Sequence, residues 1–478
     1  MGRTLVAGVD SSTQSCKVMI HDADTGALVR SGVARHTAGT EIDPEVWWRA
    51  FKEASRQAGG LSDVSAIAVA GQQHGMVALD EAGKVVRDAI LWNDTRSGQD
   101  ADDLINDLGA GDADRGAQQW ADRVCVVPVA SFTVTKLRWM ARHEPANMKR
   151  TAAIALPHDW LSWRLRGDAP IDALVTDRSD ASGTGYFDPV TNTYCPDILE
   201  LAMGSKQQLT LPAVVGHREE AGRVVIDGRE MVLGAGAGDN AGAALGLDLR
   251  PGDVAMSIGT SGVVSLVSAA PTHDPSGLVA GFADAAGQYL PLVCTLNASR
   301  VVDVFADLLG VDHRGFSELA LSAPPGAEGL VVIPYLEGER TPNLPNAAGA
   351  IHGVRLGNMS PANLARAAVE GMLCGVGEGI RAMRALGVPV SCVRLIGGGA
   401  RSDAVRRIAP LVLDLPVTVP EHGEYVADGA ARQAAWVLSG AEQPPAWVPR
   451  LSSQFVGEHL PFIQERYQEV CPLVSERA

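Results

Sequence analysis

Twice, about half a chain apart, an apolar β-prone run stops at a short turn of small hydroxyl residues and restarts as a second strand. The first case is Thr4–Val9, the polar turn Asp10–Gln14 and Lys17–Ile20. The second is Val254–Ile258, the turn Gly259-Thr260-Ser261-Gly262 and Val263–Val267. A repeat of this kind predicts two related domains, each offering one hairpin to a shared ligand. On form alone each turn is equally a polar hairpin with an Asx-type turn and no ligand.

The length suits a duplicated architecture, since domains of ~100–200 residues divide 478 residues into two or three units. Hydrophobic residues at 46% and charged residues at 20% give a globular balance. The net charge of −16 argues against long-range attraction to nucleic acid or to an anionic membrane. No apolar run reaches the ~18–20 residues that span a bilayer. The seven cysteines are scattered and form no C-x-x-C pair, so neither a disulfide framework nor a zinc site is expected. The opening residues run straight into a strand with no signal-peptide pattern, so a reducing, cytoplasmic setting is expected.

Strands and helices alternate around the hairpins. Leu28–Arg35 reads as a third strand, and Ala66–Ala70 as a short buried strand ending at Gly71. Between them Asp43 is suited to cap a helix and Pro44 to open it, with Val46, Trp47, Ala50, Phe51 and Ala54 forming its apolar face. Met231–Leu233 is a strand that leads through Gly234–Gly238 to Asp239, with a short helix over Ala241–Leu247. Ser360-Pro361 starts a long helix towards Leu386, with Gly371, Gly375 and Gly379 spaced for close approach of another element. A strand at Val393–Ile396, the turn Gly397–Gly399, and helices over Ser402–Leu413 and Ala427–Ser439 follow. Gln443–Pro449 reads as a Pro-rich connector to a helical tail. This order indicates an α/β protein with mixed sheets.

Several of these turns are able to carry phosphate chemistry. Backbone N–H groups and hydroxyls in Asp10–Thr13 and Gly259–Gly262 suit phosphate oxygens. Asp10 suits Mg²⁺, usually through water, and Lys17 would bring a positive charge. Gly397–Gly399 between strand and helix admits a base or a phosphate, though glycine turns there are common without one. Neither a P-loop nor a Rossmann fingerprint is present at these turns. Asp239 at a helix start is either an N-cap or a base for an attacking hydroxyl; a helix N-terminus would lower its pKa from ~3.9. Gln73 and His74 after a buried strand suit sugar hydroxyls, although a lone His is more often structural. Trp92 is either a flat wall for a sugar's C–H face or a core residue.

Two longer stretches settle between these readings. Ser131–His143, with Lys136 and Trp139, resembles the first signature of the FGGY family of carbohydrate kinases. Gly349–Val354 with Asn363-Leu364 and Ala367–Glu370 resembles its second. The resemblance runs from Val6 to about Leu438 and is strongest to the ketose-phosphorylating branch, on Gly71–Gly75, Ala89–Asp94, Gly238–Ala241, Ser257–Gly262, Gly338–Pro342 and Ile396–Ser402.

The resemblance implies an α/β fold of two ribonuclease H-like domains of the actin/Hsp70 type, with a ligand cleft between them. Residues 1–243 would form the sugar-binding side with the phosphate hairpin, and 244–478 the nucleotide-binding side. It implies ATP and Mg²⁺ as cofactors, D-xylulose as acceptor, and a possible homodimer. Asp239 matches the catalytic base, and Asp10 the carboxylate that positions Mg²⁺, through water, and the phosphates. Gln73, His74, Trp92 and Asn240 fall at sugar-contacting positions, where many relatives carry Met instead of Gln73. Thr13, Lys17, Gly259 and Thr260 fall at phosphate positions, and Gly398 and Gly399 beside the nucleotide. The alternatives are a family kinase for L-xylulose, D-ribulose, D-arabitol or gluconate, or, in another class, a non-catalytic actin-like ATP-binding protein.

Overall fold

The structure, a computed structural model, describes residues 3–167, 169–226, 228–447 and 451–474. The chain forms two compact units. The first takes Met1–Asp248, Pro271–Leu290 and Gly423–Pro449, and the second Leu249–Ala270, Pro291–His422 and Arg450–Ala478. No helix among the described residues is long and apolar enough to cross a membrane.

The first unit is built on a mixed sheet. Strands β1 (Leu5–Ser11), β2 (Ser15–Asp22) and β3 (Leu28–Arg35) form an antiparallel meander, as their turns dictate. Helix α1 (Glu45–Gln57) then crosses over to β4 (Val64–Gly71), which lies parallel to β1. The hairpin of β5 (Gly222–Ile226) and β6 (Arg229–Leu233) extends the sheet beyond β4, and the two-residue strand β7 (Ala237–Gly238) pairs with the end of β4. Every residue of β1 is buried, which is what continuous apolar runs in a covered sheet require. Val9, Ile20, Trp47, Phe51, Ile67 and Leu233 share one core.

Asp43 caps α1 through its side chain as expected: Pro44, in helical conformation, has no N–H to satisfy, and the Asp43 carboxylate accepts the next amide, that of Glu45, at 3.0 Å. The helix Tyr425–Ser439 belongs to the first unit although it is remote in sequence, so a single cut at 243/244 and the compact units differ. It lies so close to β1 that a methyl group on Gly8 would collide with Ala427 and Ala431.

The second unit holds a comparable sheet. Gly262–Leu266, Asp253–Ile258, Cys392–Ile396, Val417–Pro420 and Leu451–Phe455 lie side by side in that order. Helix Pro361–Ala385 is capped by Ser360, whose side chain accepts the Asn363 amide. Its four-spaced glycines serve close packing as expected: Gly371 faces the Val332 backbone, and Gly379 faces Val264 and Val293. The tail is not purely helical. Leu451–Phe455 is an antiparallel strand on Val417–Pro420 before the helix Pro461–Val470. Its exposed Leu451 leaves the run without the buried alternation by which strands are read. Residues 448–450 of the Pro-rich connector region lie outside the described residues.

Candidate active site

Three parallel strands of the first unit end side by side, and their register decides what gathers there. Asp10 of β1 pairs with Ala70 of β4, which pairs with Ala237 of β7; one step on, Ser11, Gly71 and Gly238 align. The segments leaving these strands therefore deliver the Asp10 hairpin, Gln72–His74 and Asp239-Asn240 to one edge. The carboxyl ends of parallel strands are where open α/β sheets bind ligands.

Asp10 is 4% exposed and sits opposite Lys17 in the β1–β2 register. Lys17 Nζ lies 3.4 Å from Asp10 Oδ2 and donates to Glu424 Oε2 at 2.5 Å. Burial pushes the Asp10 pKa up, Lys17 pulls it back and Glu424 adds a smaller push, leaving it at about 6. Burial pulls Lys17 down, but the two carboxylates outweigh it and its pKa is raised, so it stays charged. Asp10 Oδ1 is buried with no hydrogen-bond partner among the described residues. Leaving such an acceptor unmet costs ~1–3 kcal/mol, so the carboxylate suits a water held by Mg²⁺.

Thr13 and Trp92 are linked to each other. The Trp92 indole N–H donates to Thr13 Oγ1 at 3.1 Å, and Thr13 Oγ1 donates to Gln72 Oε1 at 3.4 Å. Trp92 is 40% exposed, so it is an open flat surface fixed at its N–H and not a core tryptophan.

Gln73 is buried, accepting from Asn240 Nδ2 and donating to the Ser179 carbonyl, both at 3.4 Å. A methyl on Gly238 would lie 2.8 Å from Gln73 Cγ and Nε2, so only glycine leaves room for this side chain. His74 Nδ1 is 2.7 Å from the Gly183 carbonyl. A carbonyl only accepts, so Nδ1 carries a proton and donates it to Gly183. Phe132 and Phe282 pack on the ring at centroid distances of 4.9 and 5.5 Å. The His74 backbone has φ of 67°, a conformation that non-glycine residues adopt at a cost and that clusters at functional sites.

Asp239 is the first residue of helix α2 (Asp239–Gly246), with Gly238 as N-cap. Its Oδ1 accepts from the Asn240 amide at 2.7 Å and from Asn240 Nδ2 at 2.8 Å. The helix end alone would lower its pKa. Instead the carboxyl, crowded by protein although it keeps some exposed surface, is pushed up to about 7. Burial is the largest cause; the Asn240 amide opposes it, and the Asp10 charge adds to it. A carboxyl near neutrality beside two amide side chains is able to accept a proton from a bound hydroxyl at physiological pH.

The second unit carries a separate cavity of about 830 Å³. Gly398 and Gly399 form one wall, with Arg314, Ser317, Met372 and Asp403 among the other lining residues. Gly399 packs on Ile258, whereas a methyl on Gly398 would meet nothing within 4 Å, so this glycine faces open space. Gly259 and Thr260 follow Ile258, which lines the cavity, but do not line it themselves. Thr260 is exposed, and the Gly259 and Thr260 carbonyls accept from the Ser299 and Ala298 amides at 2.8 and 3.4 Å.

Sequence reasoning missed some of these groups. Glu424 is 407 positions from the lysine it holds, and nothing local marks it. Ser179 and Gly183 hold Gln73 and His74 through backbone carbonyls, which any residue carries. Asp403, four residues after Gly399 at the start of the next helix, falls where some relatives carry Asn, which keeps it out of the sequence-based site, yet it lines the cavity.

Residues 5–246 match the N-terminal domain, and residues 254–438 the C-terminal domain, of the FGGY family of carbohydrate kinases. The chain is 44% identical to a xylulose kinase of Streptomyces coelicolor over 92% of its own length and 89% of the relative's. It resembles the crystal structure of a xylulose kinase from Bifidobacterium adolescentis with a TM-score of 0.93 at 49% identity, covering 98% of this chain and 99% of that one. A Plasmodium falciparum glycerol kinase shares the fold alone, with a TM-score of 0.84 at 17% identity over 100% of this chain and 99% of that one. With both domains matched and relatives aligned along nearly the whole chain, this protein belongs to the FGGY family of carbohydrate kinases.

Proposed function

We propose that this protein is an ATP-dependent kinase that moves the γ-phosphoryl group onto the terminal hydroxyl of D-xylulose, giving D-xylulose 5-phosphate. The observation that carries the reaction type is Asp239, a carboxyl poised near neutrality at a helix start beside Gln73 and Asn240. The choice of sugar is supported by the two xylulose kinases at 44% and 49% identity.

Asp239 serves as the general base. Phosphoryl transfer passes through a loose transition state, so its main task is to orient the hydroxyl, and it takes the proton as the new P–O bond forms. Gln73, His74, Trp92 and Asn240 hold the ketose. Thr13, Lys17, Gly259 and Thr260 meet the phosphates, and Gly398 and Gly399 flank the nucleotide. Asp10 would hold Mg²⁺, its buried Oδ1 having no hydrogen-bond partner among the described residues; when bound, the ion would spread the charge of the phosphoryl oxygens.

The test is ADP release with Mg·ATP and a panel of D-xylulose, L-xylulose, D-ribulose, D-arabitol, glycerol and gluconate. Highest kcat/KM for D-xylulose supports the proposal. A clear preference for another member moves the substrate, and ATP hydrolysis without any sugar dependence overturns the kinase reading.

A further inference from the structure

Beneath the sugar residues the first unit buries a second charged cluster that none of the roles above uses. His158, fully buried in the helix Pro157–Leu165, directs Nε2 at three carboxylates. Asp177 Oδ1 lies at 3.2 Å, and Asp159 Oδ1 and Asp180 Oδ2 at 3.4 Å. Those three side chains are at most 3% exposed. No lysine or arginine pairs with them among the described residues, so His158 is the cation of the group. Both Asp180 oxygens and His158 Nδ1 have no hydrogen-bond partner among the described residues. Carboxylates shut away from water need a positive charge or a proton. Burial alone would strip the proton from His158, but Asp159, Asp180 and Asp177 outweigh it and hold its pKa at about 10. Asp180 is pushed well above the ordinary carboxylate range, chiefly by burial. Asp239, Asp284 and the phenols of Tyr186 and Tyr194 also face the cluster.

The cluster is wired to the sugar site through one short segment. Asp177 caps the helix Arg178–Ala181, accepting from the Ser179 amide at 2.7 Å and the Asp180 amide at 3.1 Å. From that segment Ser179 Oγ accepts the Gly238 amide at 3.1 Å, just before Asp239. The Ser179 carbonyl accepts from Gln73, and the Gly183 carbonyl from His74. The His158 ring also packs on the approach to Asp239: a methyl on Gly236 would lie 2.9 Å from its Nδ1.

We infer that His158 is a fixed internal cation that holds the Asp177–Gly183 segment in place. Through that segment it positions Gln73, His74 and the Gly238 amide for the acceptor sugar. It is a positioning residue and touches no substrate. The functional half of the inference rests on the ketose-site reading above; the structural half rests on the ion cluster alone.

The experiment compares His158→Gln, which removes the cation, with His158→Lys, which keeps one. In H158Q the KM for D-xylulose rises at least 10-fold with a smaller loss in kcat and an unchanged KM for ATP, and H158K recovers most of it. In the sugar-free proteins, amide hydrogen exchange over residues 177–184 speeds up in H158Q and not in H158K. This second readout needs no turnover, so a wild-type protein inactive on ketoses would sink the functional reading while leaving the positioning measurable. If H158Q does not fold, the double variant H158Q/D180N removes one carboxylate with the cation and supplies the soluble comparison. Unchanged exchange and unchanged ketose KM in the cation-free variant overturn the inference. So does elemental analysis finding one divalent metal per chain in the wild type that H158Q loses, since the same three side chains His158, Asp159 and Asp180 lie within reach of one ion.

Discussion

Asp10 and Lys17 are register partners in the first hairpin, and Lys17 Nζ stands 3.4 Å from Asp10 Oδ2. Lys17 is the main group that opposes the effect of burial on Asp10, whose pKa is about 6. Lys17→Met therefore lets that pKa climb. If Asp10 works as a carboxylate, as proposed, the acid limb of the pH–rate profile moves to higher pH and the KM for ATP rises. An acid limb in the same place for both proteins would separate Asp10 from the limiting ionisation.

Asp239→Asn lowers kcat by ~10²–10⁴, the usual range for removing a general base. The same substitution stabilises the fold at alkaline pH. The folded-state pKa of about 7 lies above the unfolded value of ~3.9, so the folded protein binds the extra proton between them. Stability from this group is complete below the unfolded value and is lost as pH rises through about 7. D239N is free of that loss and at pH 8 gains about 1–2 kcal/mol, allowing for the partial exposure of the side chain. At pH 4 the two proteins melt together. Thermal unfolding at the two pH values checks the sign.

Gly238→Ala places a methyl 2.8 Å from Gln73 Cγ and Nε2 and drives that side chain from Asn240. The KM for the ketose rises about 10-fold, roughly the ~1.4 kcal/mol of one or two lost hydrogen bonds, while the KM for ATP stays the same. Steady-state kinetics with each substrate varied in turn distinguish this from general misfolding, which would lower kcat without a selective change in KM.

Gly398→Ala and Gly399→Ala differ by one position and are expected to differ in kind. A methyl on Gly399 strikes Ile258, an overpacking that costs about 1–3 kcal/mol and lowers the melting temperature. A methyl on Gly398 meets no protein atom within 4 Å, so stability is unchanged, but it intrudes on the 830 Å³ cavity and raises the KM for ATP. Equal melting temperatures for the two variants would contradict the packing described for Gly399.

What local sequence determines in this protein is the set of hairpins, capped helices and strand ends that carry the chemistry. Alternation and turn residues act over a few positions, so both repeated hairpins, the long Ser360-capped helix and the placement of Asp10, Gln73 and Asp239 at strand ends were legible. Tertiary structure alone decided which charges meet. Glu424 reaches Lys17 because the helix Tyr425–Ser439 returns to pack on β1. His158 faces Asp177 and Asp180 only because its helix packs beneath the segment that carries them. The direction of the Asp239 shift reversed for the same reason. A helix N-terminus is a local field that the sequence reveals, whereas desolvation and the charge on Asp10 are sums over neighbours that only the folded chain assembles.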